Sequence, residues 1–482
     1  MSKKFAILAI VAVLASLLVP AAAFAQTGST YQTWTSSITY YTPSDTAGTL
    51  QVDFYGSDGM QYSAPAIAMA PHKAGSLLVG SVSTVPASFS GSAVLSSDVQ
   101  VVATAVQFAA GAEAGNFGRL LYSGFSDTNA ASTFYIPTFL NMAFGTKTSS
   151  RVGVQNVEGF AINANLKFYA TGVAAPQAEK NVSIPAQSSY IFQPADIAGL
   201  PSPFNGSLVI TGTKVGEPAT PGRVVAASQE TSETERFAYA FEGVAQGANK
   251  VYMASMLCQA GASSQKSFYA VQNAGTGNAT VTITAYNTTG AQVGQIAGQV
   301  IAQGGKMSFD PCTFTTPVPA GTSGSAVIES TGAPVIAIGK VNSANGLNTA
   351  FLGQASGSTK SAAPYIRYAA DPAQDYRAFI AIMNVGAAAA NNVQVKYYDG
   401  NGTLKATHNL TSGGPLGQYI KRNSDAQTAG ATTGGAFGFT PPGGAIEVTS
   451  DQPVVVVVRL SKNVNFGAVT VFGEDYNGVP VP

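Results

Sequence analysis

The chain has 482 residues with 24 Lys plus Arg against 24 Asp plus Glu, and charged residues make up only 10% of it, against about 25% in an average soluble protein. Without clustered Lys and Arg, nucleic acid and anionic membrane surfaces are excluded as partners. So sparse a charge leaves little to keep copies apart, which favours self-association or adhesion to a matrix or cell wall.

Residues 1–25 read as a secretory signal: Lys3 and Lys4 form the positive end, Phe5–Val19 is apolar, and Ala23-Phe24-Ala25 offers a cleavage site between small residues. The apolar stretch is short of the ~20 residues that span a bilayer. Export with cleavage after Ala25 is expected, with an extracellular or cell-surface destination and no membrane insertion afterwards. Gln26–Trp34 is polar and strand-prone, an arm able to add a strand to a neighbour's sheet edge. Trp34, the single Trp, reads as a core or interface aromatic.

From there the sequence repeats itself four times with a period of about 115 residues, the mark of a domain array. The last three copies open on a strand and an Asn phrase: Val154-Gln155-Asn156, Val271-Gln272-Asn273 and Ile382-Met383-Asn384. The first has Tyr40-Tyr41-Thr42 in that place. An alternating strand follows, ending in Tyr and a Gly turn: Leu50–Gly59, Leu166–Gly172, Val281–Gly290 and Val393–Gly402. Next comes a Gly-small-apolar phrase beginning at Gly91, Gly206, Gly324 and Gly443, and then a β-branched run at 99–103, 223–227, 334–338 and 453–458. Period-two alternation, β-branched and aromatic residues, and 52 Gly with 25 Pro predict short antiparallel strands and tight turns rather than helices. The fold class expected is all-β, a tandem array of four immunoglobulin-like β-sandwiches over 26–127, 128–245, 246–357 and 358–482. The phrases at 133–137, 250–253 and 364–367 read as first strands, and Pro194–Ala198 as a short helical turn.

Repetition acts as an internal control on candidate sites. Asn156, Asn273 and Asn384 recur, so they read as structural turn or cap residues whose amides bond the backbone. Asp399-Gly400-Asn401-Gly402 reads as a hairpin turn rather than a calcium loop, because its counterparts lack the carboxylates. Cys258 and Cys312 both fall in the third copy and are expected to pair as a disulfide. His72 and His408 lie in loop-like surroundings without a nucleophile arrangement, no catalytic motif is found, and the chain is read as no enzyme and as needing no cofactor.

One stretch departs from its counterparts: Glu230, Glu233, Glu235, Arg236 and Glu242. It reads either as a contact or cation site, with calcium as the candidate ion, or as a solvated edge blunted by charge. Arg367, Arg377, Lys421 and Arg422 of the fourth copy form a potential complement for head-to-tail assembly.

The Asn phrase, the alternating strand, the Tyr-x-x-Gly turn and the later Gly-Ser-Ala-Val strand resemble the immunoglobulin-like repeats of bacterial cell-surface and secreted proteins, of the CARDB and DUF11 type. The resemblance covers nearly all of residues 31–475 and rests on structural motifs. It implies a stalk, surface-layer, sheath or adhesin role and transfers no catalytic residue; the role expected of the chain is that of a surface-layer, sheath or extracellular filament subunit. The expected partner is the chain itself, as a homo-oligomer, filament or lattice, with envelope or matrix polysaccharide as the alternative.

Overall fold

The computed structural model describes residues 9–13, 33–110, 119–232, 237–373, 375–439, 443–466 and 469–482. Among them the regular elements are strands and four single-turn 3-10 helices, one being Pro194–Asp196, where the sequence promises a helical turn. No helix among the described residues is long and apolar enough to cross a membrane.

The same sandwich is built repeatedly. In the second copy one sheet runs, in spatial order, Thr133–Asn141, Phe204–Lys214, Ile162–Ala170, Ala178–Ile184; the other runs Ser189–Phe192, Thr148–Asn156, Val224–Ser232, Ala238–Glu242. The third copy keeps this order with Lys250–Cys258, Thr322–Gly332, Ala279–Asn287, Gln292–Ile301 and, facing them, Lys306–Phe309, Lys266–Asn273, Val335–Asn342, Asn348–Leu352. In the fourth, a single strand Gly444–Phe466 passes through both layers, pairing with Val393–Asp399 by its first residues and with Arg377–Asn384 by its later ones. Its run Val454–Val458 is buried throughout, as an apolar stretch too short to span a bilayer must be. The first strand of this copy is Ser358–Ala363, which corrects the expectation at 364–367. Tyr365 instead follows the strand, its backbone N–H bonded to the Tyr476 hydroxyl.

Alternation in the sequence becomes alternation in burial: along Ile162–Ala170, the side chains of Ile162, Ala164, Leu166 and Phe168 point into the core while their neighbours do not. The glycine of the Gly-small-apolar phrase has a steric cause. A Cβ at Gly91, Gly206 or Gly324 would strike the carbonyl oxygen of Tyr55, Tyr169 or Tyr286, the tyrosine of the turn phrase on the neighbouring strand. The two phrases recur together because they pack against each other.

The chain forms two compact units: Met1–Thr39 with Thr46–Met69 and Ser76–Gln246, and Tyr40–Asp45 with Ala70–Gly75 and Gly247–Pro482. Within the first unit, the edge strand Arg119–Ser123 packs on Ala238–Glu242. Within the second, Asn348–Leu352 packs on Val469–Asn477 in the equivalent way.

Candidate functional site

In each of the last three copies the first strand pairs with the Gly-small-apolar strand: Phe134 opposite Ile210, Val251 opposite Ile328, Ala363 opposite Ile446. The first copy fills that place differently. Ala9–Val13, from the middle of the stretch read as a signal, lies antiparallel on Gly91–Ser97, with Ala9 opposite Leu95 and Val13 opposite Gly91. The strand Thr33–Tyr41 corresponds to Thr148–Asn156, in the opposite sheet. The second copy has a nine-residue first strand, Thr133–Asn141, and then residues 142–147 ahead of that counterpart. Between Ala25 and Thr33 lie only residues 26–32, outside the described residues; of the 26–34 arm, Thr33 and Trp34 open the strand Thr33–Tyr41, where Trp34 is half-buried.

The three repeated asparagines are fully buried and make the same bonds. Asn384 Nδ2 donates to the carbonyls of Ala388 (2.8 Å) and Leu416 (2.7 Å), and its Oδ1 accepts from Gly386 N–H (2.9 Å). Asn273 bonds Gly277, Ile301 and Gly275 likewise, and Asn156 bonds Phe160, Ile184, Pro185 and Glu158. Ile184 and Ile301 belong to the facing sheet, so each of these two amides fastens one layer to the other. In the first copy Thr42 takes this position: it is buried, and its hydroxyl accepts from Ser44 N–H two residues on. Cys258 and Cys312 are joined by a disulfide, with Cα atoms 5.4 Å apart. Asp399 Oδ1 accepts from the N–H groups of Asn401 and Thr403, with Gly402 at φ 88°, which makes this segment a hairpin turn.

The acidic stretch is corrected in part. Glu230 is neither an exposed contact nor an open cation ligand: it is fully buried, and the hydroxyls of Thr138 and Tyr239 donate to its carboxylate. Burial, with the charge of Glu230, drives the Tyr239 hydroxyl well above its ordinary pKa. Glu233, Glu235 and Arg236 lie outside the described residues. Glu242 is buried at the packing of the two sandwiches of the first unit, where it accepts from Ser123 N–H; desolvation raises its pKa. The second unit has an amide in the equivalent place: Asn477 Oδ1 accepts from Leu352 N–H (2.9 Å), and its Nδ2 donates to Leu352 O (2.8 Å). Nothing local in the sequence signals that two sandwiches meet there, so this charge reads as surface charge. The basic complement is likewise no open face. Arg422 donates to the carbonyls of Leu410, Gly414 and Pro415, the Arg377 guanidinium sits 4.9 Å from the Tyr368 ring centre, and Lys421 is buried.

His72 also proves to be built in, against the expectation of a bare loop residue. In the second unit its Nδ1 lies 3.0 Å from Glu447 Oε1 and its Nε2 2.9 Å from Asp45 Oδ1, with its ring stacked on Tyr398 at 4.5 Å. The Tyr41 hydroxyl donates to the same Glu447 oxygen (2.8 Å). His408 Nδ1 lies 2.8 Å from Ser424 Oγ, which in turn lies 2.7 Å from the Tyr397 hydroxyl. Among the described residues, no group of three or more His, Cys, Asp or Glu side chains is arranged to hold a metal ion.

No family model matches the chain, and no curated protein matches it. Among solved structures, it is similar to the crystal structure of Thermotoga maritima 1070, at 14% identity over 26% of this chain and 96% of that one, with a TM-score of 0.20. It is also similar to a tetra-tandem repeat from the extending region of a large adhesion protein, at 12% identity over 99% of both chains, with a TM-score of 0.11.

Proposed function

We propose that this chain is an exported, non-enzymatic structural protein of the bacterial cell surface, and that its copies join by exchanging a strand at the first sandwich. One observation supports the reading above the rest: the strand Ala9–Val13 that completes the Gly91–Ser97 edge lies inside the stretch read as a cleavable signal. Cleavage after Ala25 removes it, and residues 26–32 are too few to supply both a nine-residue first strand and its connection, as residues 133–147 do in the second copy. The mature first sandwich is then one strand short. Its row of N–H and C=O groups is a template for a strand from a second copy. Such a contact is heterologous, so it propagates into a filament unless the rotation closes it into a ring. A chain with only 10% charged residues offers little repulsion against it.

The test compares residues 26–482 with a variant in which a second copy of 133–147 is fused before Thr33, to fill the edge in cis. Sedimentation velocity and negative-stain microscopy should find polymers of the first protein and monomers of the second. A mature chain that stays monomeric at high concentration, or a fused variant that polymerises equally well, refutes strand exchange.

A further inference from the structure

The second unit holds a cavity of about 580 Å³ between residues of the third and fourth sandwiches. Lys421, Arg459, Ser323, Asn345 and Asn423 line it, together with apolar side chains such as Phe379. The cationic side of this wall is unbalanced. Arg459 is committed to Asp475 by two parallel bonds, Nε to Oδ1 at 2.8 Å and Nη2 to Oδ2 at 2.6 Å. Lys421 is only 5% exposed, and its Nζ donates to one neutral oxygen, Ser323 Oγ, at 3.2 Å. No carboxylate among the described residues pairs with it. A buried ammonium without an anion is costly, and proteins generally pair such a charge or lower its pKa. Here burial, followed by the charge of Arg459, brings the Lys421 ammonium down to about 8.

Strand geometry explains why the groups converge. Lys421 and Asn423 are two apart on one strand, and Val457, Arg459, Ser461 and Asn463 alternate along another, so period-two alternation turns both sets toward the cavity. The disulfide does not enter this wall, and the repeated Asn384 points elsewhere.

We propose that this cavity binds a sugar acid: Lys421 takes its single carboxylate, and the amide and hydroxyl side chains around it take the ring hydroxyls. One unpaired ammonium matches one negative charge, which selects a carboxylate over a dianionic phosphate. The neutral Asn and Ser groups match hydroxyls, which both donate and accept, and the volume falls within the range of small-molecule sites, ~300–1,000 Å³. This inference is independent of strand exchange, since the Gly91–Ser97 edge is not part of the cavity.

The experiment is calorimetric titration of the purified chain with glucuronate, glucose, acetate and sulfate. Glucuronate should bind at pH 7, with glucose and acetate weaker by about tenfold or more, because each supplies only half of the match. Lys421 faces Arg459, itself held by Asp475, so binding near pH 8.5 should take up a proton as the anion restores the ammonium. Lys421→Met should abolish glucuronate binding with the circular dichroism unchanged. Asn423→Ala should weaken glucuronate and leave acetate as it was. Glucuronate binding unchanged in Lys421→Met, binding of no anion at all, or sulfate tighter than glucuronate would each overturn the proposal.

Discussion

Replacing Asn384 by Ala tests whether the repeated asparagine holds its turn as its bonds imply. The side chain makes two bonds in fully buried surroundings, to Leu416 O and from Gly386 N–H, and one part-buried bond to Ala388 O. Leu416 O keeps a second donor, Ala390 N–H, and Gly386 N–H keeps a second acceptor, Pro453 O, so neither group is left wholly unbonded. With about 1–1.5 kcal/mol for each buried bond and less for the part-buried one, the substitution should cost about 2–4 kcal/mol. Asn384→Asp should be worse at neutral pH although it preserves the acceptor for Gly386, because a carboxylate then faces two carbonyl oxygens in a buried site. The order of stability is therefore Asn, then Ala, then Asp, with Asp recovering as pH falls and its carboxyl protonates. Hydrogen exchange of the full chain reads this locally: protection of 377–384 and 416–424 should fall, while the equivalent segments around Asn156 and Asn273 serve as internal controls. An Asp variant as stable as the wild type, or equal loss of protection in every copy, would refute the reasoning.

Lys421→Met should stabilise the second unit at neutral pH. In the wild type the folded state binds its proton with a pKa of about 8 against 10.5 for a free lysine. Below about 8 both states are charged and the full penalty stands; between there and 10.5 the unfolded chain holds more protons, so wild-type stability rises with pH. The gap to the Met variant should narrow by about 3 kcal/mol across that window, measured by urea unfolding at successive pH values. Glu242→Gln should also stabilise, in the first unit. The raised Glu242 pKa contributes stability below the ordinary carboxyl value, and it is lost as pH rises toward neutral; the Gln variant should match wild type at acid pH and exceed it at pH 7. Reducing the Cys258–Cys312 bridge, which closes a sequence separation of 54, should cost the third sandwich about 4 kcal/mol by chain entropy, and proteolysis with and without reductant would show cleavage confined to that copy.

Much of the sandwich was legible because its causes are local or repeated. Period-two alternation set which side chains face the core, and the fourfold phrases marked the strands. The pairing of Gly206 with the Tyr169 carbonyl shows why two distant phrases recur together. The burial of Glu230 was not legible, because no local pattern shows that its carboxylate turns inward to Thr138 of the facing sheet and Tyr239 of the neighbouring strand. His72 was not legible because its neighbours come from three separate segments, Tyr41 with Asp45, Tyr398, and Glu447, the last 375 residues away in sequence.

By itself, then, the sequence determined an all-β array, its unit length and its asparagine fasteners, since hydrophobic period, turn chemistry and repetition act over a few residues or in every copy alike. Only the tertiary structure decided where the rare charges go. It alone placed Glu230 and Glu242 inside the first unit and Lys421 beside a cavity in the second. It alone set Ala9–Val13 on the edge of Gly91–Ser97. Burial and strand pairing between distant segments depend on which faces meet, and no local pattern encodes that.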